Sequence, residues 1–236
     1  DQLLHIEPGA AQMNTGPDGA ARNLKEVFEH EIQKRRRKPQ DDLMSDLVAS
    51  EIELEDGSKR QLTNGELHAF VALLSAAGNE TVARLLGWAG LTLARFPQQR
   101  ARLVANPALI PNAVEELLRF EAPSPIQARY VTRDVELHGM TIPKGAKAAL
   151  LTASAGRDER EYPAPDNFDV ERKFTRHVAL GFGVHFCLGA SLARMEGRVA
   201  LEETLKRFPQ WDVETAGLEM VHTSTVRGYA RVPVRL

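Results

Sequence analysis

The chain has 236 residues, 43% of them apolar, and a formal net charge of −2, enough material for a substantial core. That charge balance excludes a general nucleic-acid binder, which needs a basic face. The single cysteine excludes a disulfide framework and points to a reducing, cytoplasmic setting, and no apolar run reads as a membrane anchor or signal peptide.

The chain opens at Asp1 without an initiator Met, so a leading segment can precede it. Residues 1–22 are turn-rich and give no element. Asn23 to Arg37 reads as a helix stopped by Pro39. Its basic run, Lys34 to Lys38, suits either an anionic partner or the helix C-terminus, where cations are stabilising. A second helix is expected over Asp41–Ile52, then a turn or short hairpin over Glu55–Gln61. Thr63 to Phe96 is the longest periodic stretch, opened by a capping box of Thr63 and Glu66. Leu67, Phe70, Val71, Leu74, Ala77, Gly78, Thr81, Leu85 and Trp88 fall on one stripe, and the other faces are also largely apolar, as in a helix through the middle of a core. Short helices follow over 97–106 and 111–121, then strands and turns over Gln127–Leu151. Residues 158–173 are irregular. A last helix spans Leu188–Phe208, with Leu188, Leu192, Met195 and Val199 on one face, and the tail from Thr223 reads as strands. The fold class is mainly α with small β-sheets.

The cysteine stands in "LGFGVHFCLGA", residues 180–190. Cys187 precedes a helix whose free N–H groups and dipole favour the thiolate, the form that binds metals and attacks electrophiles. Gly181, Gly183 and Gly189 let the backbone bend and lie against something flat or bulky. His185 offers a donor beside the same place. Zinc would need three or four ligands, more than His185 and Cys187 supply. A cysteine–histidine hydrolase pair is a further reading of these residues.

In the long helix, "AAGNETVAR" places Gly78 at mid-helix, at a cost of about 1 kcal/mol relative to Ala. Either a flat ligand approaches the backbone there, or Gly78 is a packing glycine and Thr81 bonds back to its own helix. In "EELLRF", Glu116 and Arg119 are three apart and share a helix face. Arg129, in "RYVTRDVELHGMTIPKG", reads by itself as a sheet-edge surface charge.

Together these segments resemble the cytochrome P450 family of soluble bacterial type. The cysteine loop is similar to the haem-ligand pattern F-G-x-G-x-H-x-C-x-G, with Leu180 replacing the usual phenylalanine. Ala77 to Thr81 match [AG]-G-x-[DE]-T, Glu116 and Arg119 match E-x-x-R, and "FDVER" supplies Arg172 as the third member of that cluster. Gly156 stands where many relatives carry asparagine. The likeness runs from about Arg36 to the C-terminus and covers the C-terminal part of the family fold, so residues 1–236 are expected to be the later part of one such domain, with a long central helix and a cysteine haem-ligand loop.

The resemblance implies haem b (iron protoporphyrin IX) held by Cys187 as a thiolate. It implies that Ala77, Gly78, Leu180, Gly181 and Gly189 border the haem, and that His185 and Arg129 bind its propionates. Glu80 and Thr81 would help deliver protons to dioxygen. Pro125, Ile126, Thr223 and Ser224 would lie on the substrate side, and Glu116, Arg119 and Arg172 would brace the loop structurally. The implied activity is a monooxygenase inserting one oxygen atom of O2 into a hydrophobic small molecule. Its electrons would come from a separate ferredoxin- or flavodoxin-type donor. The alternative is a truncated, catalytically incompetent haem-binding or interaction module with exposed apolar surface.

Overall fold

The structure is a computed structural model that describes residues 20–223 and 225–236. The turn-rich segment over residues 1–19 and the candidate substrate residue Ser224 lie outside the described residues. The chain divides into two compact units, residues 1–80 and 81–236, taken here in turn.

The first unit holds α1 (Ala20–Arg37), α2 (Leu43–Ala49), the hairpin strands β1 (Glu51–Glu53) and β2 (Lys59–Gln61), and the start of α3 (Asn64–Arg95). The basic end of α1 is engaged within the unit. Arg35 bonds Asp42 at 2.9 Å and also Glu31, and Arg36 bonds Asn64 at 3.0 Å. Asp42 in turn caps α2 by accepting from the Ser45 amide at 2.8 Å. The helix expected to reach Ile52 ends at Ala49. Extended backbone at Ser50, whose hydroxyl donates to the Leu47 carbonyl at 2.8 Å, ends it. Ile52 instead pairs with Arg60 in the hairpin. The capping box of α3 forms, since Glu66 accepts from the Thr63 amide at 2.8 Å and Thr63 Oγ1 accepts from the Glu66 amide at 3.3 Å. Arg60 adds two bonds to the same carboxylate at 2.7 Å. Ile32, Val48 and Leu67 form a small buried core.

The second unit continues α3 and adds α4 (Pro97–Ala105), α5 (Ile110–Phe120), α6 (Thr152–Ala155) and α7 (Ala190–Arg207). Its strands form antiparallel pairs: β3 (Gln127–Tyr130) with β6 (Lys147–Leu150), and β4 (Val135–Leu137) with β5 (Met140–Ile142). Likewise β7 (Asp212–Val213) pairs with β10 (Val234–Arg235), and β8 (Glu219–Met220) with β9 (Tyr229–Arg231). The core gathers Leu85, Ala89 and Leu93 of α3, Leu103 of α4, Ala113, Val114, Leu117 and Leu118 of α5, and Leu201 and Leu205 of α7. Helices α5 and α7 pack closely: a Cβ on Gly197 would stand 3.1 Å from a Val114 methyl.

Two expectations change here. By length and composition α3 is apolar enough to cross a membrane. Its C-terminal half packs in this core, whereas Ala77, Gly78 and Asn79 at its middle are exposed. Helix α7 starts at Ala190, and the apolar stripe of Leu188, Leu192, Met195 and Val199 is exposed. The packed face of α7 is that of Ala190, Gly197, Leu201 and Leu205.

Candidate functional site

The segment before α7 is a tight loop shaped by its glycines. The amide of Gly181 donates to Val178 O at 2.9 Å, that of Phe186 to Gly183 O at 3.0 Å, and that of Cys187 to Leu180 O at 2.8 Å. Gly181 (φ +79°) and Gly183 (φ +62°) adopt left-handed backbone, which glycine enters without penalty. At Gly181 a Cβ would also stand 2.8 Å from the His185 carbonyl oxygen. Leu180 is half-buried and packs on the main core, anchoring the loop's first residue. The loop beyond it turns outward.

Cys187 is exposed. Around it Val184 is 98%, Phe182 75% and Leu188 74% accessible, an unusual concentration of exposed apolar side chains. A Cβ on Gly189 would meet no atom within 4 Å, and the same holds for Gly78 in the first unit. Gly78 is therefore not a packing glycine among the described residues. Among those residues no group of three or more His, Cys, Asp and Glu side chains comes together as a metal site. One accessible sulfur on an apolar, glycine-lined surface fits a metal that brings its other ligands in a flat apolar ring, as haem does. His185 is exposed in the turn before Cys187, and Arg129 lies half-buried on β3.

Arg129 donates to the Ala128 carbonyl at 2.9 Å, and among the described residues no carboxylate pairs with it. Glu80 is buried and Thr81 half-buried, consecutive on α3. Pro125 and Ile126 are brought to the Thr223 segment by Ser124, whose hydroxyl donates to Thr225 O at 3.1 Å, and by the Arg227 amide, which donates to Pro123 O at 2.7 Å. The Thr223 hydroxyl is engaged in its own turn, donating to Val226 O at 2.8 Å and accepting from its amide at 3.1 Å.

Glu116, Arg119 and Arg172 meet in one buried cluster. Arg119 donates to both Glu116 oxygens at 2.7 and 2.8 Å, and Arg172 donates to Oε1 at 3.2 Å. The Asp169 amide donates to Oε1 at 2.9 Å, and Arg119 reaches the carbonyls of Gly156 and Pro165 at 2.6 and 2.9 Å. Gly156 lies so close to α5 that a Cβ would stand 2.5 Å from the Arg119 carbonyl oxygen.

Sequence reasoning missed a second ionic cluster. Glu115 accepts from Arg194 Nε at 2.6 Å and Nη2 at 2.9 Å, and its Oε2 lies 2.8 Å from His177 Nε2. Burial raises the carboxyl's pKa, but the His177 and Arg194 hydrogen bonds outweigh it and hold the group down at about 2. The legible signals were Arg194, one turn into α7 after Cys187, and the acid directly preceding Glu116.

The sequence model of Cytochrome P450 matches residues 11–108 and 104–224. Cytochrome P450 123 of Mycobacterium tuberculosis is 40% identical over 99% of this chain and 57% of its own length. The vitamin D(3) 25-hydroxylase of Pseudonocardia autotrophica is 40% identical over 87% of this chain and 51% of its own. Among solved structures, CYP109E1 from Bacillus megaterium in complex with testosterone superposes with a TM-score of 0.83 at 34% identity, covering 91% of this chain and 58% of that one. The mainly α fold with small sheets is thus matched by both the sequence and the structural relatives. The chain belongs to the cytochrome P450 family. It spans about half the length of the curated relatives it matches.

Proposed function

We propose that this chain carries the haem-thiolate half of a monooxygenase that acts on hydrophobic small molecules, with haem b as its cofactor. The observation that carries the reading is Cys187 itself, a lone exposed thiol whose amide is tied to Leu180 O at 2.8 Å in a loop of left-handed glycines. That bond and the packing of Leu180 tie the Cys187 backbone to the core. Gly189 leaves backbone open to a flat ring, and His185 and Arg129 would hold the ring's carboxylates. Bound there, haem supplies the activation of O2 and the insertion of one oxygen atom into the substrate.

The chain's own residues do the rest. Glu80 and Thr81 would hold and pass protons from α3, a carboxyl and a hydroxyl in consecutive positions. Pro125, Ile126 and Thr223 would border the substrate, and the apolar character of Ile126 suits a hydrophobic one. The vitamin D(3) hydroxylase and the testosterone complex among the similar proteins favour the same substrate class. Glu116, Arg119 and Arg172 have a structural role. Electrons come from a separate ferredoxin- or flavodoxin-type donor, and a cytoplasmic location goes with that partner. A second reading, a haem-binding or interaction module without turnover, is favoured by the exposed stripe Leu188, Leu192, Met195 and Val199.

The test is reconstitution with haem, reduction and addition of carbon monoxide. The expected result is the strongly red-shifted Soret band of thiolate ligation, absent in Cys187→Ser. Haem uptake with that band but no substrate oxidation, with donor and O2 supplied, would select the module. No haem uptake would overturn the monooxygenase reading for this chain and leave only the interaction module.

A further inference from the structure

Behind the cysteine loop lies a cavity of about 320 Å³, lined in part by Glu115, His177, Gly181, Phe186 and Arg194. Three separate segments meet at its one carboxylate. Glu115 belongs to α5, Arg194 to α7, and His177 to the chain leading into the loop. His177 Nδ1 accepts the Ala179 amide at 3.3 Å, which leaves Nε2 as the donor to Glu115 at 2.8 Å. The ring is thereby held in one orientation. The pKa of Arg194 is raised chiefly by the Glu115 hydrogen bonds, against the effect of burial, and further by the charge of Glu115.

We propose that Glu115 is a positioning residue for Cys187: through His177 it holds the entry of the cysteine loop against α5, and through Arg194 it neutralises a cation of the cavity behind that loop. The electronic half of this proposal rests on the haem-thiolate reading. A charge unmasked beside a metal ligand changes the relative stability of the oxidised and reduced metal. Glu115→Gln keeps the shape of the side chain and unmasks Arg194, favouring the reduced iron. Arg194→Gln unmasks Glu115 and favours the oxidised iron.

The experiment is a spectroelectrochemical titration of the haem-loaded chain. The midpoint potential is expected to rise in Glu115→Gln, fall in Arg194→Gln and return towards the parent value in the double variant. Shifts of one sign in both single variants, or no shift in either, would overturn the electronic role. The positioning role is read without haem, by hydrogen exchange. Glu115→Ala is expected to speed exchange of the Ala179 and Cys187 amides about tenfold, with the amides of α4 unchanged. Unaltered exchange at both amides would overturn it. Failure of the haem reading is visible separately, as a parent chain that lacks the thiolate–CO band, and the exchange measurement still decides the positioning role in that event.

Discussion

Arg119 and Glu116 face each other through two parallel hydrogen bonds, 2.7 and 2.8 Å long, with neither side chain in contact with water. Arg172 and the Asp169 amide complete the shell of the same carboxylate. Two guanidinium groups therefore depend on one buried anion. Removing one partner of such a pair costs about 3–5 kcal/mol, because the other charge stays buried without compensation. Glu116→Gln is expected to lose that much stability in urea unfolding, as a fall in midpoint at constant slope. Arg119→Lys should lose a large part of it too, since an ammonium cannot reproduce the fork. Unchanged midpoints would remove the cluster from any structural role.

The glycines of the loop separate into two kinds, and substitution should tell them apart. Gly181→Ala places a Cβ in left-handed backbone against the His185 carbonyl, so it should destabilise the chain by about 1–3 kcal/mol. Gly189→Ala meets no neighbouring atom and should stay within about 0.5 kcal/mol of the parent. Both should weaken haem binding, Gly189→Ala by steric contact with the ring alone. Thermal unfolding without haem and haem titration by absorbance measure the two effects.

Acid should loosen the loop through Glu115. Its folded-state pKa of about 2 lies below the ordinary 4.5, so its contribution is present above the ordinary value and is lost as pH falls through the folded one. The window is about pH 4.5 to 2, and the contribution, reduced by solvent screening of a partly exposed carboxylate, is on the order of 2 kcal/mol. Unfolding free energies of the parent and Glu115→Gln, measured across that range, are expected to converge as pH falls. A difference independent of pH would contradict the assignment.

Cys187 is exposed, so Cys187→Ser should leave the unfolding midpoint of the haem-free chain within about 0.5 kcal/mol. The same variant should lose the red-shifted carbon monoxide band. A large loss of stability would mean that the sulfur packs in the fold.

The chain's own residue order determined everything that depends on near neighbours. Thr63 and Glu66 could be read as a cap because a capping box closes within one turn. The cysteine loop was legible because its bends require glycine at fixed places, and Gly78 because mid-helix glycine is costly enough to need a reason. Glu116 with Arg119 was legible as spacing, though nothing local distinguishes a buried pair from a solvated one. Tertiary structure decided the rest. Glu115 meets His177 and Arg194 across 62 and 79 residues, distances over which sequence spacing carries no geometry. It also decided which face of α7 is covered: Leu188, Leu192, Met195 and Val199 make as regular a stripe as any, yet Gly197 is where α5 comes close enough to exclude a side chain. Helical periodicity says that a face is apolar, and only the packing of other elements says which apolar face is buried.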